Sequence, residues 1–364
     1  MPENARGRVN HYSKRNRFRR LKATIIKKVF SMENTARKGD FTRKLILFAS
    51  NHGVWVIFLF IFIIGAIGVP GFMTGYNLVN VLWGNIPFSF MALGMFIVLL
   101  VGETDLSIES IYAICPIIGA VLMTKYLPGI VTPGVAIIIC LLVGVLCGLI
   151  NAFLSVYIKI NSFLATLTML LVLRGVSQYL IPEGLYYLPY TFIALGDERI
   201  FAVPLAVIVF VIVAILIYTL TTKTVFGKNL YATGSSETAA YLAGLNTRRI
   251  RLAAFILAGV LAALGGLIGS GRMQAVTADM GAGDIMMVFA ACFLGGSSMS
   301  GGNGEIIDLV GSILTLSIIT NLMNLVGVNP FLVKIVYGLI LLLAIIFANV
   351  QQVIRRRLLL ADTH

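Results

Sequence analysis

The chain has 364 residues, 59% hydrophobic and only 12% charged, with a mean hydropathy of +0.95. These values exclude a soluble globular domain, because a hydrocarbon core of about 30 Å takes roughly 20 apolar residues per helix and the chain offers many such runs between short polar breaks. The net charge of +13 is concentrated in residues 1–44, which hold 14 Lys or Arg against three acids; beside a membrane span this reads as a cytoplasmic anchor under the positive-inside rule, not as a nucleic-acid arm.

Within that segment "KRNRFRRLKATIIKKVF" sets Phe18, Leu21, Ile25 and Val29 at helical spacing among basic residues, as an interfacial amphipathic helix would. No short apolar stretch with a small-residue cleavage site opens the chain, so no removable signal peptide is expected. Ten spans follow, over 53–69, 86–101, 106–123, 134–158, 161–181, 202–220, 252–271, 285–299, 306–326 and 331–350. The expected fold is an all-α polytopic membrane protein: a basic segment 1–44, a transmembrane region 45–351 with a cytoplasmic loop at 221–251, and a tail 352–364. With the N-terminus inside, 23 basic residues fall on the cytoplasmic side, Arg355, Arg356 and Arg357 among them. Only Lys125, Arg199 and Arg272 fall outside, and Arg174 and Lys334 lie within spans.

The connection between the second and third spans, "GETDLSIES", carries Glu103, Asp105 and Glu109 within seven residues. Three uses compete: ion or proton coupling, acceptance of hydrogen bonds from a polar cargo, and a structural role in which Thr104 or Asp105 caps the third span while Glu103 faces water. The short connection favours the structural role. Further along, Arg174 stands in mid-span, where a charge is costly unless it faces a cavity or a partner. Asn151, Asn161 and Gln178 are expected to hydrogen-bond between helices, with contact to cargo hydroxyls as the alternative. Cys115, Cys140, Cys147 and Cys292 all lie in apolar runs and read as packing residues, and His11, His52 and His364 sit outside the spans or at an edge; no metal site or cofactor is expected.

In the loop 221–251, Ser235 or Ser236 can cap a helix, Glu237 suits its first turn, and Gly244 can close it in a left-handed conformation. The result is a helix of about two turns, too short to stand alone in water. "GAGD", Gly281 to Asp284, matches the Gly-x-Gly-Asp of intramembrane aspartyl proteases, but the Tyr-Asp partner is absent from the chain, so Asp284 is expected at the outer end of a span. "GGSSMSGGNG" lies between two apolar runs and has no Lys, so it reads as a glycine-shaped cytoplasmic turn before a helix with Glu305 and Asp308 in its first turn. The stretch from Leu142 also resembles that from Leu309, Gly144 matching Gly311 and "INSF" matching "VNPF". The copies are five spans apart, which suggests a 5+5 inverted repeat with a pathway at the repeat interface.

Four blocks resemble the permease subunits of bacterial ATP-binding-cassette importers for monosaccharides, the group that includes ribose, xylose, arabinose and autoinducer-2 permeases. They are "GETDLSIES", "FGKNLYATGSSETAAYLAGLNTRRIRLAAFILAGVLAALGGLI", "LGGSSMSGGNG" and "NPFLVKIVYGLILLLAI", in register over about 70 to 350. The resemblance implies that Ser235, Ser236, Glu237, Thr238, Ala239, Ala240, Tyr241, Leu242, Ala243, Gly244, Leu245 and Asn246 form a coupling helix that docks on a separate ATPase subunit. It carries a family role to Gly102, Asp105, Leu106 and Ser107 and matches Arg174 and Gly175, whereas Glu103 and Glu109 stand where the family usually has glycine. The chain has no GxxxxGK[ST] loop, so the ATPase must be a partner. Two ATPase subunits, a second permease copy or paralogue, an extracytoplasmic solute-binding protein and a sugar cargo are implied, with a bacterial inner-membrane location and no catalysis in this chain. A permease for branched-chain amino acids is a more distant cousin. The rival class is an ion-coupled secondary transporter or channel using Glu103, Asp105 and Glu109.

Overall fold

The computed structural model describes residues 53–343 apart from 330 and 334, together with 346. The expectations for residues 1–44, Lys334 and the tail 352–364 fall outside the described residues.

Among the described residues, ten apolar helical segments follow one another in the order expected. Seven are long enough to cross a membrane: Gly75–Leu100, Ile108–Tyr126, Pro133–Tyr157, Ser162–Leu180, Leu205–Lys223, Thr247–Met273 and Ile306–Leu325. Three are shorter: Gly53–Gly68, Ile285–Leu294 and Phe331–Leu343. As helices these are α1 (Gly53–Gly68), α2 (Gly75–Gly84), α3 (Ile86–Leu100), α4 (Ile108–Val121), α5 (Pro133–Ala152), α6 (Ser162–Leu180), α7 (Tyr190–Asp197), α8 (Leu205–Lys223), α9 (Val225–Ser235), α10 (Glu237–Leu242), α11 (Thr247–Met273), α12 (Ile285–Leu294), α13 (Ile306–Leu325) and α14 (Phe331–Leu343). The second span is longer than its apolar run suggests, because α2 joins α3 through the single residue Asn85 and Pro87 opens α3.

Local chemistry places the ends. The Thr74 hydroxyl accepts from the Asn77 amide to start α2, the Asn161 side chain accepts from Phe163 N to start α6, and Pro133 occupies the first turn of α5. Helices α4 and α5 each end in a π turn, Leu122–Tyr126 and Phe153–Tyr157.

The centre of the molecule is α3 against α11. Every residue of α3 is buried, and α11 packs on α3, α4, α5 and α7. In lipid there is no hydrophobic drive between helices, so association depends on close approach and polar ties. A β-carbon on Gly259 would stand 2.1 Å from the Gly144 carbonyl, and one on Gly148 would stand 2.4 Å from that of Phe255. Helices α5 and α11 therefore cross with their backbones in contact. The side-chain amides of Asn77 and Asn321 donate to each other's oxygens at 2.9 and 2.8 Å between α2 and α13. The faces of α5, α6 and α8 that carry Leu142, Leu171 and Leu216 are exposed, as lipid-facing or partner-facing surfaces are.

At the end opposite the 221–251 loop, β1 (Leu185–Tyr186) pairs antiparallel with β4 (Ala275–Val276), and β2 (Arg199–Ile200) with β3 (Val203–Pro204). There the Trp83 indole donates to the Gly196 carbonyl at 3.0 Å, and the guanidinium groups of Arg199 and Arg272 lie 5.1 and 5.5 Å from the Trp83 ring centre.

The eighth span differs from expectation. Helix α12 has only 10 residues, about 15 Å of rise against a core of about 30 Å. It begins beside Glu109 in the first turn of α4, so residues 277–284 run back from the outer ladder into the bundle. The apolar run 285–299 hid this, because Ile285, Met287, Val288 and Phe289 are apolar for burial in protein and read the same as a lipid-facing span.

Candidate functional site

Three of the blocks that carry the family resemblance meet at one end of the bundle. Helix α10 is capped at both ends: the Ser236 hydroxyl accepts from Ala239 N at 3.2 Å, and Gly244, at φ +87°, closes a Schellman turn through Leu245 N to Ala240 O and Gly244 N to Tyr241 O. Asn246, the last residue of the expected coupling helix, instead caps α11, its side chain accepting from Arg249 N at 3.1 Å. Ala240 is buried, whereas Tyr241 and Leu242 are 69% and 80% exposed. The short helix thus offers an apolar face outward while its caps fix its direction.

Helix α3 ends the same way. Gly102, at φ +77°, donates to Leu99 O and Glu103 N donates to Val98 O, a second Schellman turn that fixes Glu103 at its far side. The "GGSSMSGGNG" turn seats on this end: Gly302 N donates to Leu100 O at 2.9 Å, and the Tyr231 hydroxyl of α9 donates to Gly304 O at 2.8 Å. A β-carbon on Gly234 would stand 1.9 Å from the Leu100 carbonyl, so α9, α3 and the turn touch through bare backbone. The expected glycine-shaped turn is present, and its use is to dock the α9–α10 elbow.

Arg251, one turn into α11, lies between two carboxylates. Its Nη1 donates to Glu237 of α10 at 2.9 Å and its Nη2 to Glu103. The Arg251 and Glu103 side chains are 15% and 11% exposed, while Glu237 is 52% exposed. Glu103 does not face water as expected; the Schellman turn aims it at Arg251. The group borders an open cleft of about 1120 Å³ that includes Ser155, Lys159, Asn161 and Tyr241.

Asp105 is fully buried. Its Oδ1 accepts from Ser107 N at 3.0 Å and from the Ser107 hydroxyl at 2.6 Å, and the Asn151 amide of α5 donates to both carboxylate oxygens and to Ser107 Oγ. Burial pushes its carboxyl up to about 6, against the opposing pull of the bonds from Ser107 and Asn151. Neither Thr104 nor Asp105 is the cap of α4. That position falls to Ser107, whose side chain makes no capping bond, because Asp105 is committed to the turn before it. Leu106 N donates to the Thr166 hydroxyl at 3.0 Å, tying the connection to α6.

Glu109 and Arg174 meet. Arg174 Nη2 donates to Glu109 Oε1 at 3.4 Å, and its Nη1 donates to the carbonyls of Ala278 and Met280 at 2.7 and 2.9 Å. The other Glu109 oxygen accepts from Gly283 N and Ile285 N, both at 3.1 Å. A carboxylate of α4 thus holds the first amide of α12, that of Ile285, and the Gly283 amide of the turn before it, where the helix dipole favours negative charge. Asp284 directly precedes α12, as its N-cap, beside this carboxylate. Gln178 is exposed on α6 and takes no part in hydrogen bonds between the described helices, contrary to expectation.

The three carboxylates therefore serve three different partners and do not form one ion site. The sequence marked Arg174 as needing a partner but could not name it, since Glu109 and the 278–280 carbonyls are remote along the chain. Arg251 stood out only as one cytoplasmic charge among several. The α5–α11 crossing did carry a signal, Gly144 and Gly148 four apart.

An all-α multi-pass chain with a doubly capped helix that holds an apolar face out to solvent at one end of its spans has the build of a transport permease. The chain belongs to the family described as "branched-chain amino acid transport system / permease component", whose model matches residues 77–345. It is similar to the L-arabinose transport system permease protein AraH of Escherichia coli K12, 36% identical over 84% of this chain and 92% of that protein. The ribose import permease protein RbsC of the same organism is 31% identical over 78% of this chain and 88% of its own length. The galactose/methyl galactoside import permease protein MglC, also from that strain, is 27% identical over 83% and 95%. No solved structure matches the chain.

Proposed function

We propose that this permease carries a monosaccharide or a related small polar solute into the bacterial cytoplasm as the membrane subunit of an ATP-binding-cassette importer. Two ATPase subunits bind inside, a second copy or paralogue of the permease completes the pathway, and a solute-binding protein delivers cargo from outside. Both termini are cytoplasmic, and the chain itself makes and breaks no covalent bonds. The observation that carries the reading is α10: a six-residue helix, capped at both ends, that holds Tyr241 and Leu242 out to solvent. A helix so short keeps this pose only because its surroundings hold it, and an apolar exposed face fits a groove on a partner. The names of the sugar permeases it resembles point to the cargo class. Glu103, Asp105 and Glu109, the acids a secondary transporter would use, are each engaged by groups of this chain.

The test is uptake by vesicles holding the purified permease with the ATPase and binding protein encoded beside it. ATP-dependent accumulation of a labelled pentose or hexose, unaffected by collapse of the proton and sodium gradients, is expected. Accumulation that needs an ion gradient and no ATPase would sink the reading.

A further inference from the structure

The two glutamates that depart from the family's glycines sit at opposite ends of one short stretch, and each ends on a different moving part of a transporter. At one end Glu103 reaches Arg251, which also holds Glu237 in the first turn of α10. At the other Glu109 caps α12 through Gly283 N and Ile285 N and pairs with Arg174, which holds the carbonyls of Ala278 and Met280. The stretch between them is stiff: the Schellman turn fixes its start, Asp105, Ser107 and Asn151 lock its middle, and Thr166 holds Leu106 N. A rigid segment tied at both ends by charge pairs transmits displacement better than a glycine-rich one would.

We propose that residues 103–109 act as a relay that links the position of the cytoplasmic helix α10 to the re-entrant segment 277–284 and the half-helix α12, with Glu103 and Glu109 as its two positioning residues. The relay rests on the importer reading above. Its weakest contact lies on the partner side, where Glu237 is half-exposed and its pairing with Arg251 is readily broken and remade. The Arg251–Glu103 contact is more enclosed, so in the relay Arg251 takes up movement of α10 and hands it to the 103–109 stretch. A glycine at either place would lack the carboxylate that makes the contact, so the route depends on Glu103 and Glu109 of this chain.

The experiment places a cysteine at the exposed Ala282, in the re-entrant segment. The four native cysteines are buried, so a maleimide reports on that site. The intact complex with its ATPase is labelled without nucleotide and with ATP plus vanadate, alongside Glu103→Gln, Glu109→Gln and Glu103→Gly. Glu103→Gly installs the residue usual in the family and so guards against a folding failure. In the parent, labelling should change about five-fold or more between the two states, and the change should shrink to under about two-fold in each variant while ATP hydrolysis stays within about two-fold. A nucleotide-dependent change that survives in the Glu103 variants, or is missing in the parent, overturns the relay. A parent that binds no ATPase overturns the importer reading itself, and the relay with it.

Discussion

Asp105 shows how one buried carboxyl organises a connection. Its carboxyl keeps its proton to about 6 instead of the ordinary 3.8 because burial penalises the charge. With a raised pKa in the folded state, folding binds protons over that interval, so stability falls as pH rises from 3.8 to about 6 and is level above it. Asp105→Asn should flatten this dependence. The variant keeps an oxygen for Ser107 and offers an amide to Asn151 Oδ1, which has no partner, once the Asn151 amide turns over. Melting in detergent at pH 5 and pH 7.5 should show the parent losing stability with pH and the Asn variant holding level, with transport largely retained. Asp105→Leu should fail, since it strands the Ser107 amide and hydroxyl at about 1–3 kcal/mol each. An Asn variant that assembles normally but transports nothing would give Asp105 a role in the pathway instead. The cap expected of Asp105 on α4 is not what it makes, because an Asp two residues before Ser107 closes a local turn as readily as it caps a helix.

Among the elements, α12 is the one least legible in advance. Its apolar run is long enough for a span, and only the contacts of its first turn show that it begins inside the bundle. Nothing in "GAGDIMMVFAACFL" announces that a glutamate some 170 residues earlier will supply its cap. The caps that were legible, Ser236 and Gly244 on α10, were local: the side chain and the amide it serves lie within a few residues, and spacing alone finds them. Non-local caps need the fold. The Glu109–Arg174 pair is accordingly expected to hold α12 and the 277–284 segment in place. Arg174→Ala takes the charge partner from a buried carboxylate and the donor from two carbonyls, a loss on the order of 3–5 kcal/mol. Combining it with Glu109→Gln should cost less than the sum of the single changes, because the second change removes the stranded charge. A double-mutant cycle on detergent melting measures this, and strict additivity would show that the two side chains act apart.

At the scale of the whole molecule, α11 is the strut that joins the two ends. It starts at Thr247, directly after the α10 caps, and runs to Met273 beside the outer ladder, crossing α5 on glycines along the way. A crossing made of backbone has no slack: a methyl group on Gly259 would meet the Gly144 carbonyl at 2.1 Å, and neither partner is a side chain that can turn away. Gly259→Ala must force the helices apart, at about 1–3 kcal/mol for overpacking, and should lower the melting temperature and the yield of assembled protein. Gly175→Ala provides the contrast. A β-carbon there meets nothing within 4 Å, and alanine in mid-helix is favoured over glycine by up to about 1 kcal/mol, so this variant should melt at or above the parent. Equal loss in both would mean that the glycines serve flexibility along the helices. Loss confined to Gly259 means that close approach of the α5 and α11 backbones is what holds this crossing together.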